Sequence, residues 1–215
     1  LNIVQKIDYS KFDIKISLPN TKKKYIKNIK VPIIGLHNIR NTTAAVAVAF
    51  SIGISNKLIK DGLKNFQGVQ RRFTKLFSYQ KVPFFDDYAH HPTEIREVLN
   101  GVKEVYKNKE IVCIFQPHRI SRLKILRKDF SKAFIKADTI VLCPIYKAGE
   151  NINLGFKYSK FAKELIKNSK IKLILIKDNL ELAKFIRQNI YGEKLVIGMG
   201  AGSISNWMRE LPTLL

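Results

Sequence analysis

Apolar residues follow more than one rhythm along this chain. In residues 1–34 they alternate with polar ones: Phe12, Ile14 and Ile16 share one face, Pro19-Asn20 supplies a turn, and Val31 to Ile34 forms a second apolar run. A period of two predicts short strands. Small apolar residues from Thr42 to Ile54 suit a tightly packed helix. Leu58, Ile59, Leu63 and Phe66 recur at helical spacing and predict another over Ser55 to Phe66, with Ser55 as its N-cap. Gln67 to Phe73 breaks the pattern and is read as the boundary between two units, 1–70 and 71–215.

Beyond that boundary, short continuous apolar runs alternate with amphipathic stretches. The runs are Val82–Phe85, Ile111–Phe115, Thr139–Ile145, Ile171–Ile176 and Leu195–Gly198, with helices expected at about 93–107, 121–136, 158–168 and 179–190. Strands that are apolar on both faces, separated by helices, predict a mainly parallel sheet covered on both sides. With right-handed crossovers the fold class is α/β, an open Rossmann-like domain. Ligands of such sheets gather at the carboxyl ends of the strands.

Polar side chains concentrate at those ends. Asp86-Asp87-Tyr88-Ala89-His90-His91-Pro92-Thr93-Glu94 follows the first run, with Pro92 at an expected first helical position and Glu94 in the first turn. The alternative reading is a capping turn around a partly buried histidine. After the second run comes Gln116-Pro117-His118-Arg119-Ile120-Ser121-Arg122. Ser121 is a candidate cap there, and Arg119 and Arg122, three residues apart, can converge on a carboxylate or phosphate. Tyr146 to Glu150 ends a third run and borders the same cleft. Gly198-Met199-Gly200-Ala201-Gly202-Ser203 lacks the full dinucleotide fingerprint and is read as tight turning rather than a phosphate cradle. In the first unit, His37, Asn38 and Asn41 surround a junction where neutral amides suit a base or sugar edge, or simply cap a helix. No metal-ligand spacing and no Gly-x-x-x-x-Gly-Lys-Ser/Thr phosphate loop is present.

The net charge of +22 raises a nucleic-acid hypothesis. Its distribution argues against one. Positive charge is spread along the chain and is mostly lysine, Lys22-Lys23-Lys24 is the one run, and basic residues are not interleaved with aromatics. Cys113 and Cys143 each lie in an apolar run, as buried reduced thiols of a cytoplasmic protein would. No apolar run approaches the ~18 residues of a membrane span. The chain is therefore expected to bind neither nucleic acid nor membrane. Because it opens on Leu1 in mid-pattern, it is expected to be a fragment.

Taken in order, GLHNIRN, GVQRRF, DDYAHHPTE, FQPHRISR, IYKAGE and GAGS resemble the Mur ligase family over essentially the whole chain. FQPHRISR points to its alanine-adding branch rather than the branch that recycles murein tripeptide; Ile120 departs from the aromatic residue usual there. The resemblance implies that 1–70 is the tail of the central ATP-binding domain and 71–215 a mobile C-terminal domain. It implies an ATP-dependent ligase of peptidoglycan precursor synthesis, joining L-alanine to UDP-N-acetylmuramate through an acyl phosphate. His37, Asn38 and Asn41 would contact adenine and Asp87 the ribose. Tyr88, His90, Arg119 and Arg122 would form the alanine site, with His90 helping the ammonium lose its proton and the arginines stabilising negative charge. Asp86 would be structural support. ATP and magnesium are the implied cofactors, the magnesium ligands lying mainly outside this chain, so the fragment alone is expected to be inactive. The alternatives are a sister ligase for another amino acid and a basic, non-catalytic binding domain.

Overall fold

The computed structural model describes residues 1–17, 23–150, 155–167 and 171–215; the Pro19-Asn20 turn, Lys22 and residue 168 at the end of a predicted helix lie outside these. Cα proximity divides the chain into two units, one of Leu1–Gly68 with Asn100–Lys107, the other of Val69–Leu99 with Asn108–Leu215.

In the first unit, β1 (Val4–Lys6), β2 (Tyr9–Ile16) and β3 (Lys24–Val31) form an antiparallel sheet in that order. Helices α1 (Leu36–Ser51) and α2 (Asn56–Lys64) complete it. The alternation read in β2 buries Phe12 and Ile14, which cluster with Ile26, Ile29 and Val31 of β3 and with Ile39, Val46 and Ile59; the run expected to be a strand from Val31 to Ile34 instead begins where β3 ends. The Ser55 hydroxyl accepts the Leu58 N–H and caps α2 as expected. Helix α1 begins six residues before the predicted start. Gly35, at φ 95°, makes the sharp entry, so Asn38 and Asn41 are helical residues rather than loop residues.

The second unit is a six-stranded sheet in the order β4-β5-β9-β6-β7-β8. Its strands are β4 (Thr74–Tyr79), β5 (Val82–Asp87), β6 (Glu110–Phe115), β7 (Thr139–Leu142), β8 (Lys172–Leu175) and β9 (Lys194–Met199). Only β4 runs antiparallel, as a hairpin with β5. Helices α3 (Pro92–Val105), α4 (Ile120–Ile125), α5 (Arg127–Ala133), α6 (Tyr158–Ile166), α7 (Asn179–Asn189) and α8 (Ile204–Leu214) link and follow the strands. Alternate residues of β6 serve opposite faces, as side chains on a strand must. Val112 and Ile114 join Val196 and the α7 and α8 residues Leu182, Ile186, Met208 and Leu211. Phe115 meets Phe130 of α5 and Phe134 on the other side, and Phe130 meets Phe161 of α6.

Three local expectations change. The pattern expected to make one helix at 121–136 makes two, broken at Leu126, whose φ of −99° and ψ of 21° leave the helical range. Strand β7 stops at Leu142 rather than residue 145, since Pro144 has no N–H to continue the ladder. Strand β5 runs on through both acids, so Asp87 ends a strand instead of sitting in the turn.

Candidate functional site

Register brings the chemistry to one edge. Asp87 pairs with Met199, Met199 with Phe115, Phe115 with Leu142 and Leu142 with Leu175, so all five parallel strands end level. The polar segments singled out in the sequence leave from that line. Because β9 lies between β5 and β6, the glycine turn after β9 is inserted between the Asp87 and Gln116 segments.

Asp86 is fully buried; its Oδ2 accepts from the Ser205 hydroxyl at 2.6 Å and lies 3.6 Å from Nε of Arg71. That matches its expected supporting role. The neighbouring carboxylate, Asp87, is the one expected to receive a ribose. Asp87 is 2 % exposed, Oδ2 accepts the Phe73 N–H and Oδ1 the Ala89 N–H, each at 2.8 Å. Burial pushes its pKa up to about 6, against the opposing pull of those two amides. A carboxylate ending an inner strand of the sheet loses its water, and nearby backbone amides replace it.

The turn after Asp87 presents an exposed Tyr88 and a half-buried His90, rings edge to face at 5.2 Å. Nδ1 of His90 lies 2.9 Å from the Tyr88 carbonyl oxygen and 3.5 Å from Glu94. Glu94 accepts the N–H groups of both His90 and His91 and so closes the start of α3. The His118 ring lies 5.7 Å from that of His90 and stacks on Tyr146 at 5.5 Å. Tyr88, His90, His118 and Tyr146 thus form a continuous wall of rings over the ends of β5, β6 and β7. Arg122 reaches it, Nη1 lying 3.3 Å from His118 Nδ1. Arg119 is exposed, at the N-cap of α4 with φ 69° and ψ 126°, a conformation L residues rarely hold.

Ser121, expected as the cap, lies inside α4. Glu150 takes that role, accepting the Ile120 and Ser121 N–H groups and the Ser121 hydroxyl. These bonds, the hydroxyl's first, hold its carboxyl below the ordinary range. Cations at this helix start therefore face a carboxylate brought in from the β7 loop. The glycine turn is tight, as read: Gly200 N–H donates to the Asp87 carbonyl, and a Cβ on Gly200 would lie 2.7 Å from the Gln116 carbonyl oxygen.

Two residues of this edge carried no role in the sequence reading. Arg71 donates to the Gly200 carbonyl at 2.5 Å, lies over the Tyr88 ring at 4.7 Å, and accepts the Tyr88 N–H through its own carbonyl at 2.7 Å. Gln116, nearly fully buried, accepts the Ile204 N–H and donates to Ser203. A polar residue directly after an apolar strand was the available signal for Gln116; for Arg71 it was only its position in a glycine-containing boundary.

His37, Asn38 and Asn41 belong to the first unit. His37 is half-buried beside Gly35, Asn38 donates its side-chain amide to the Ile34 carbonyl at 2.7 Å, and Asn41 is exposed one turn further along α1. Among the described residues no three His, Cys, Asp or Glu side chains gather as a metal site. No helix among them is long and apolar enough to cross a membrane.

An open, mainly parallel sheet with charged and aromatic loops along one carboxyl edge defines a nucleotide- or substrate-handling α/β domain. Residues 71–202 match the model for the Mur ligase, glutamate ligase domain, and the chain belongs to the Mur ligase family. It is similar to the UDP-N-acetylmuramate–L-alanine ligase of Pelagibacter ubique, 61% identical over 100% of this chain and 46% of that protein. It is 38% identical to the ligase of the same name from Bartonella tribocorum over 99% of this chain and 45% of the other. Among solved structures, the UDP-N-acetylmuramate–alanine ligase of Thermotoga maritima superposes with a TM-score of 0.74 at 28% identity, covering 96% of this chain and 43% of that one. The chain spans about half the length of the curated relatives it matches.

Proposed function

We propose that this chain is the amino-acid-binding part of an ATP-dependent ligase that joins L-alanine to the carboxylate of UDP-N-acetylmuramate. Residues 1–70 are the end of its ATP-binding domain and 71–215 its C-terminal domain. The observation that carries this reading is the ring wall with Arg122 and Arg119 at the strand ends, inside the region that matches the family. Guanidinium groups there suit the carboxylate of a small amino acid. When ATP is present it activates the muramoyl carboxylate as an acyl phosphate. The residues of this chain then bind and orient alanine: Arg119 and Arg122 hold its carboxylate, Tyr88 borders its side chain, and His90 receives an ammonium proton. His37, Asn38 and Asn41 contribute to the adenine site. Asp87 supports the turn carrying Tyr88 and accepts from the ribose hydroxyls.

The test joins this chain in frame to the first half of the Pelagibacter ubique ligase and follows ADP release. Release requiring both L-alanine and UDP-N-acetylmuramate from the joined chain, with none from this chain alone, is expected. Release independent of alanine, or a stronger response to another amino acid in a substrate panel, overturns it.

A further inference from the structure

The two histidines of the ring wall have their Nδ1 atoms facing opposite kinds of partner. Nδ1 of His90 faces a carbonyl oxygen, that of Tyr88, at 2.9 Å. A carbonyl only accepts, so this nitrogen carries a proton, and in the neutral ring Nε2 then keeps its lone pair. Nδ1 of His118 faces Nη1 of Arg122 at 3.3 Å. A guanidinium only donates, so here Nδ1 keeps the lone pair and Nε2 carries the proton. Both rings are half-buried and fixed in plane, His90 by Tyr88 and His118 by stacking on Tyr146.

We propose that His90 and His118 are held as opposite neutral tautomers, which makes His118 a further positioning residue of the site: its Nε2–H donates to the carboxylate of an α-amino acid while Nε2 of His90 accepts from the amino group. The identity of that ligand rests on the ligase reading above. The two rings stand 5.7 Å apart, centre to centre, on the same wall. Burial, and then the charges of Arg122 and the other nearby cations, hold His118 below the ordinary histidine value, which keeps it neutral at physiological pH. A proton passing from the ammonium to His90 Nε2 breaks one N–H bond and makes another. It leaves a neutral amine and an imidazolium whose charge faces Glu94, 3.5 Å from Nδ1. His118 has no acceptor nitrogen to spare and cannot compete for that proton.

Two-bond proton–nitrogen spectra of the chain labelled with 15N-histidine, at pH 7.5, read both tautomers directly. His90 protonated on Nδ1 and His118 on Nε2 is the expected result, with Arg122→Met releasing His118 into a mixture. His90 protonated on Nε2, or His118 on Nδ1, overturns the proposal. In the joined ligase, His118→Gln keeps a donor where Nε2 stood and His118→Asn does not. The Asn variant should raise the KM for alanine about tenfold, with kcat less affected, and the Gln variant should stay within about threefold of the parent. Equal KM values in the two variants remove His118 from the amino-acid site while leaving the ligase reading intact. Alanine-independent turnover of the parent refutes the ligase reading and the amino-acid role together, whatever the tautomers.

Discussion

Asp86 and Asp87 are consecutive residues of one strand, and they meet different partners. Strand alternation sends Asp86 to Ser205 and Arg71, and Asp87 to two backbone amides. For Asp87 the folded pKa of about 6 lies above its ordinary 3.8. The native chain therefore holds an extra proton between those values, and the stability this group contributes is present below about pH 4 and lost as pH rises through about 6. A carboxyl-carbon NMR titration should find its midpoint near 6, and Asp87→Asn should abolish that stretch of the stability–pH curve. Arg119 makes a second residue-scale case. Its φ of 69° is strained for any side chain. Arg119→Gly should match or exceed the parent in free energy of urea unfolding, by up to about 1 kcal/mol, while alanine use in the joined ligase falls. A lower midpoint would mean that the guanidinium, and not the backbone, governs stability there. Neither property was legible in the sequence, because burial and φ depend on neighbours distant along the chain.

Elements were legible where hydrophobic period alone decides them. Strands β5, β6, β8 and β9 and helices α2, α3 and α7 were readable, their ends shifted by a residue or two. Strand β4 was not: it is an edge strand of mixed burial, and its hairpin turns on Gln80-Lys81, both at positive φ, without the Asn-Gly or Asp-Gly signal such turns usually carry. The packing of α8 on β9 offers a test at this scale. A Cβ on Gly198 would lie 2.6 Å from Cγ of Met208. Gly198→Ala should cost about 1–3 kcal/mol in urea unfolding, and adding Met208→Ala should recover part of it. Simple additivity of the two would show that the contact does not limit the position. The start of α4 depends on Glu150 in a different way. Its depressed pKa means that the capping bonds hold at neutral pH and weaken as pH falls through the ordinary carboxylate range. Glu150→Gln should speed amide hydrogen exchange at Ile120 and Ser121 at neutral pH, and unchanged exchange would assign their protection to the helix alone.

For the whole molecule, the consequence of the proposed function is alanine handling in the joined ligase. Arg122 is half-buried and lies against His118, so on the proposed reading its loss removes both the contact to the alanine carboxylate and the partner of a positioned ring. Arg122→Ala in the joined ligase should lower kcat/KM for alanine by an amount equal to about 2–4 kcal/mol, leaving the KM for ATP nearly unchanged. Equal losses for both substrates would point to a general folding defect. The sequence by itself determined the α/β class, most of the strands and the polar segments that follow them, since burial of alternate or successive apolar residues is a local rule. It also carried the motifs of the family. Only the tertiary structure decided that β9 lies between β5 and β6, that Asp87 faces inward, that Glu150 caps α4, and that two histidines from separate loops stand ring to ring. Strand order and side-chain partners are chosen by packing among residues far apart in the chain, and no local pattern encodes that choice.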